Sequence, residues 1–270
     1  MKNKNIKKSI TLSIIIFILV ISPVLAARCE SPNFVITTNV NQETTNKFCA
    51  KAEADRKQLA IDYYGGEMPN WGTKIPIEIN VNKRLGAGGA TSFYFDHGEV
   101  FGWRGTMQGS EQRILDSVIP HEIMHTISAS ILRQPLPRWA DEGISTSTED
   151  ISEKQRHRKM LIEFLQSRRG IPFNLMFEMK EYPKDIMPLY AQGYSLTEFL
   201  MDLGGKRKFG DFLNTWKKYK EEGKSNMEAW KRALKDNYGT SDLGKLQNEW
   251  LKWVAGGFQN ICTEGETKTS

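Results

Sequence analysis

Cysteine and histidine are scarce, three of the first and four of the second in 270 residues. Cys29, Cys49 and Cys262 are too few for a disulfide-dense scaffold, and none stands at the spacing of a zinc knuckle. They are an odd set, and nothing in their spacing says which two pair. An excess of one charge is also lacking: 37 Lys and Arg face 32 Asp and Glu. Basic stretches such as 154–159 and 217–224 are bordered or interrupted by acids and read as solvated helix faces, so no nucleic-acid partner is expected. There is no internal repeat and no low-complexity block, which argues against solenoid and fibrous architectures.

Long apolar runs are absent except at the start. Lys2, Lys4, Lys7 and Lys8 precede a nearly continuous apolar stretch from Ile10 to Ile21, and Val24-Leu25-Ala26 follows. That is the shape of a signal peptide spanning 1–26, cleaved after Ala26, and it predicts a secreted or periplasmic protein. A retained membrane anchor is the alternative, because the run approaches spanning length. Arg28 before Cys29 does not suit a lipidated cysteine. Removing the leader takes four lysines and no acids from the net charge of +5, leaving +1. No stable membrane insertion is expected of the mature chain, and the oligomeric state is left open.

The remaining residues predict an α+β fold. Ile75, Ile77, Ile79 and Val81 alternate with Pro76, Glu78 and Asn80, a strand pattern, and 34–40 reads as a second strand. Phe48, Ala52, Leu59 and Tyr63 repeat at helical spacing between 43 and 64, and Gly65-Gly66 stops that helix. Two aromatic strand-like runs flank Asp96-His97-Gly98 and predict a hairpin. The glycines at 86–89 lack the Lys-Ser/Thr of a phosphate loop and read as a flexible lip beside a cleft. Ser110 can cap a helix running to about Leu132, bent by Pro120 and ended by Pro135 and Pro137. Helices are further expected at about 152–168, 184–203, 206–222, 227–238 and 243–254. The expected division is a strand-rich part at 27–109, a helical part at 110–255 and a loose tail at 256–270.

At the junction stands His121-Glu122-Ile-Met-His125. On a helix, residues four apart project from one face, so both imidazoles can reach one metal ion while Glu122 stays free as a carboxylate base. An ordinary helix bearing two histidines and a glutamate is the competing reading. A catalytic zinc needs a third protein ligand. Ile131 and Ser128 stand where a third histidine and its glycine would mark another large protease group, which excludes that group. In PRWADEGIST, Glu142 lies 17 residues past His125, far enough for the chain to turn and cross back; Asp141 competes for the same role. Asp116 and Asp141 are the nearest carboxylates in sequence that could orient the histidines.

Trp139-x-x-Glu142-Gly143 after H-E-x-x-H resembles the gluzincin metallopeptidases, particularly the aminopeptidase-like branch and the small exported proteins called peptidase MA-like. The resemblance spans roughly residues 34–253 and implies a zincin-like fold, one Zn2+ per chain held by His121, His125 and Glu142, and a peptide or protein substrate. Tyr190-x-x-Gly193, followed by an apolar stretch and Gly204-Gly205, resembles the family's helix that supplies a tyrosine hydroxyl to the reaction's oxyanion. A phenol suits that role as a neutral donor. His157 is a second candidate for it, while Tyr194 reads as a core aromatic, as do Trp216, Trp230 and Trp253. The glycine-anchored G-x-M-E-N strand of the aminopeptidases has no counterpart: GAGGA and FGWRG bring no glutamate to hold a substrate's amino terminus. An edge strand that pairs with extended peptide fits better than exopeptidase action.

The expected chemistry is hydrolysis of a peptide bond by zinc-activated water, with Glu122 as general base and Tyr190 as oxyanion donor. The alternatives are a zinc hydrolase of a non-peptide substrate and an inactive metal-binding or surface-binding protein with the same fold.

Overall fold

The computed structural model of the chain describes residues 26–258. The leader expected at 1–26, apart from Ala26, and the tail past Phe258, with Cys262, lie outside the described residues. The fold is α+β. A five-stranded sheet has the order β1 (Ala27–Glu30), β2 (Phe34–Thr38), β3 (Ile75–Val81), β5 (Glu99–Gly109), β4 (Gly88–Asp96). β2, β3 and β5 are parallel, and β1 and β4 pair antiparallel at the two edges. Helix α1 (Gln42–Tyr64) makes the crossover that the parallel β2–β3 pair demands.

The sheet buries one face. Phe34, Ile36, Ile75, Ile77, Ile79 and Met107 are buried, while Pro76, Glu78 and Asn80 are exposed, as the alternation in β3 predicts. β1 carries no pattern of its own; a disulfide joins its Cys29 to Cys49 of α1 and ties the strand to the helix. β4 and β5 meet at His97-Gly98, with φ of 47° and 79°. Two positive φ values mark the tight turn whose twist matches a hairpin's. The glycine run divides: Gly86 lies in the lead-in, and Gly88-Gly89 open β4 itself.

The span expected as one helix from Ser110 to Leu132 is split. Ser110 caps α2 (Glu111–Arg113), a π-helical turn covers Ile114–Val118, and α3 (Ile119–Leu132) carries the histidines. Pro120 has no N–H to give, and just ahead of it the ladder widens, the Ile119 N–H reaching Ile114 O five residues back. Arg133 ends α3 in the left-handed region, with Pro135 and Pro137 beyond it.

The rest is helical: α4 (Arg138–Thr146), α5 (Ile151–Gln166), α6 (Phe173–Met176), α7 (Met187–Asp202), α8 (Gly205–Glu221), α9 (Asn226–Tyr238) and α10 (Leu243–Ala255). Trp216, Trp230, Trp253 and Tyr194 are buried, as their patterns predict. A single hydrophobic cluster runs from the strands through these helices, so the boundary near 110 separates kinds of element that share one core. Among the described residues, no helix is long and apolar enough to cross a membrane.

Candidate metal centre

His121 and His125 lie one turn apart on α3, with their Nε2 atoms 3.2 Å from each other. Glu142 comes from α4, and its Oε2 lies 3.5 Å from His121 Nε2 and 3.8 Å from His125 Nε2. These residues form a group able to hold a metal ion. Tetrahedral ligands with bonds of ~2.0–2.1 Å stand about 3.3 Å apart, close to the edges of this triangle. The Oε2 of Glu142 is buried with no hydrogen-bond partner, a costly state for a carboxylate oxygen unless a cation meets it. The donor set fits a metal ion.

Glu142 reaches the histidines because two helices touch backbone to backbone. A Cβ on Gly143 of α4 would stand 2.6 Å from Gly193 O of α7, and one on Gly193 would stand 2.6 Å from Trp139 O. Glycine alone permits that approach. Trp139 is buried against Phe177 and Trp230, with ring centroids 4.6 Å and 5.3 Å away, and so anchors the turn of helix that precedes Glu142.

The outward nitrogens of the pair are also held. His125 Nδ1 lies 2.8 Å from Asp141 Oδ1, and His121 Nδ1 lies 2.7 Å from Glu149 Oε1. A carboxylate on Nδ1 sets the tautomer that leaves Nε2 bare for a metal. Asp141 is thus one of the two carboxylates expected beside the histidines. The other is Glu149 and not Asp116, which is exposed and accepts from Gln112. Burial by itself would push both imidazoles down, but the carboxylates prevail. Glu142 and Glu149 hold His121 well above its ordinary value, and Asp141 raises His125 to about 9. Burial would raise Glu142, yet His121 and His125 bring it down to about 2.

Glu122 is buried beside the ligands, and its Oε2 accepts from Thr91 Oγ1 at 2.6 Å. Thr91 belongs to edge strand β4, which passes so close that a Cβ on Gly89 would lie 2.6 Å from Glu122 Oε1. Tyr190, at the start of α7, lines the same cleft of about 490 Å³. Its ring stacks on Tyr182 with centroids 6.1 Å apart. Burial and the negative Glu142 raise the pKa of both phenols, which keeps them neutral donors. The Tyr182 hydroxyl donates to Glu142 Oε1, and the Arg138 guanidinium sits 4.4 Å from the centre of its ring. His157 borders a neighbouring cavity and packs against Tyr194.

The expected His121, Glu122, His125, Glu142 and Tyr190 therefore share one cleft. Sequence reasoning missed Thr91, Glu149 and Tyr182. Thr91 and Tyr182 lie in a strand and a loop with no fixed spacing from the motif, and only the seven-residue step from Glu142 to Glu149 hints at the third. No protein-family model and no curated protein matches the chain. Function has to be read from the site itself.

Proposed function

We propose that the protein is a zinc-dependent metallopeptidase of the gluzincin type. The observation that carries this reading is the convergence of the buried, unpartnered Glu142 Oε2 on the two Nε2 atoms of the H-E-x-x-H pair. Two imidazoles and one carboxylate make a donor set that suits zinc and leaves a coordination position for substrate or water. When bound, zinc would supply a Lewis acid that polarises a carbonyl and acidifies water.

The chain's own residues carry the remaining roles. Glu122, held by Thr91, takes the proton from the attacking water and passes it to the departing amine. Tyr190 donates a hydrogen bond to the substrate oxygen as its charge grows. Asp141 and Glu149 orient the imidazoles, and Tyr182 holds the other oxygen of Glu142. Edge strand β4 beside Glu122 suits an extended peptide, which can add to the sheet by backbone pairing. A secreted or periplasmic location fits the basic and apolar opening at 1–26 and the Cys29–Cys49 disulfide, a bond that persists in oxidising compartments.

Metal content by mass spectrometry and cleavage of casein, with and without chelator, test the proposal. One zinc per chain and chelator-sensitive cleavage are expected. Glu122→Gln should keep the zinc and lose at least ~10³-fold in kcat, whereas His121→Ala and Glu142→Ala should lose both metal and activity. A Glu122→Gln protein with wild-type turnover, or a zinc-loaded protein that leaves casein intact, would overturn the assignment.

A further inference from the structure

Resting on the peptidase reading, we infer that the enzyme is an endopeptidase: an extended chain passes through its groove, and bonds are cut away from either terminus. Three cavities follow one another along the unpaired edge of β4. One of about 210 Å³ shares Gly89, His121, Glu122 and Tyr190 with the 490 Å³ cleft at the metal centre. The cleft in turn shares Thr91, Phe93, Arg138 and Asp141 with a third cavity of about 340 Å³. The groove thus continues past Glu122 in both directions, towards Ala87 and Arg113 on one side and towards Phe95 and Gln134 on the other. β4 is nine residues long, roughly 30 Å of strand at ~3.3 Å per residue, enough to pair with several substrate residues on each side of the cleaved bond.

An exopeptidase needs a charged group reserved for a substrate terminus, because an unpaired ammonium or carboxylate is expensive to bring into a cleft. Each charged side chain lining these cavities already has a partner within the protein, although the buried Nε of Arg138 donates to none. Glu122 accepts from Thr91, Glu149 and Asp141 hold the two imidazoles, and Glu142 takes Tyr182 on one oxygen and faces the imidazoles with the other. Glu153 bridges Arg113 and Arg156, the second at 3.0 Å. Arg138 lies over Tyr182 and 3.5 Å from Asp141. Among the described residues that line these cavities, each carboxylate already has a partner and none is reserved for an amino terminus, while Arg113, Arg138 and Arg156 each face a carboxylate of the protein itself. Water adds across an internal amide, so one fragment gains a carboxylate and the other an amine.

The test uses twelve-residue peptides randomised at the central positions, one set with free ends and one acetylated and amidated. With the zinc-loaded protein, internal cleavage of both sets at rates within about threefold is expected. kcat/KM should rise at least ~10-fold as the peptide is lengthened from two to four residues on each side of the bond. Binding of the same peptides to the Glu122→Gln protein, read by fluorescence polarisation, should be equally blind to the blocked ends. Release of terminal residues from free peptides only, or a tenfold binding preference for a free end, would overturn the inference and leave the peptidase reading standing. If neither set is bound or cut by protein that carries its metal, the peptidase reading falls and the inference with it.

Discussion

At the scale of single residues, the site is a set of mutual electrostatic dependencies. Glu149 and Asp141 each accept from one imidazole, and loss of such a partner commonly weakens metal binding ~10–100-fold. Glu149→Ala should show a drop of that size in competition with a chelator of known affinity; an unchanged affinity would remove Glu149 from the site. The same contacts predict a pH dependence. In the metal-free protein His125 titrates at about 9, above the ~6.5 of an unfolded histidine. Its contribution to stability is therefore complete below about 6.5 and is lost as pH rises through 9. The depressed Glu142, at about 2, contributes above about 4.5 and loses that contribution as pH falls through 2. Melting temperatures of chelator-stripped protein should decline between about pH 6.5 and 9, and zinc uptake near pH 7 should release protons. A flat melting profile over that interval would contradict the hydrogen-bonding scheme.

At the scale of elements, the metal group depends on α4 and α7 meeting through two glycines, Gly143 beside the Thr197 hydroxyl and Gly193 O, and Gly193 beside Trp139 O. Gly143 and Gly193 each face the other helix's backbone, and backbone cannot swing aside as a side chain does. Gly193→Ala forces the helices apart where Glu142 is delivered. Overpacking of this kind costs about 1–3 kcal/mol, so denaturant titration should show a loss in that range together with weakened zinc binding. Retention of both properties would mean that the crossing has slack. The hairpin needs no such delivery, since Asp96-His97-Gly98 and the flanking aromatics marked it locally. The helix of the histidines was legible too, but its π-turn was not. That widening answers both to Pro120 and to the buried Ile114 and Val118 beneath it.

At the scale of the whole molecule, one core joins the sheet to the helical bundle, and the Cys29–Cys49 disulfide secures an edge of it. The bridge spans 20 residues, for which loop-closure entropy suggests about 3 kcal/mol, on the order of 10 °C in Tm for a domain of this size. Replacing both cysteines by serine should lower Tm by that order while leaving zinc content unchanged, since neither touches the metal group. Loss of zinc on this replacement would show that the strand-rich edge and the centre are coupled.

Local physics alone determined much of the protein. Period two marked β3, period 3.6 marked α1, a Ser110 cap and the prolines marked the helix of the histidines, and a four-residue step put His121 and His125 on one face, because side-chain direction along a regular element depends only on its own backbone. The tertiary structure decided the rest: the inward turn of Glu142, the choice of Glu149 over Asp116, the contacts of Thr91 and Tyr182, and the pairing of Cys29 with Cys49. Each joins elements distant along the chain, and their meeting is set by how helices and strands pack against one another, a property that no segment carries by itself.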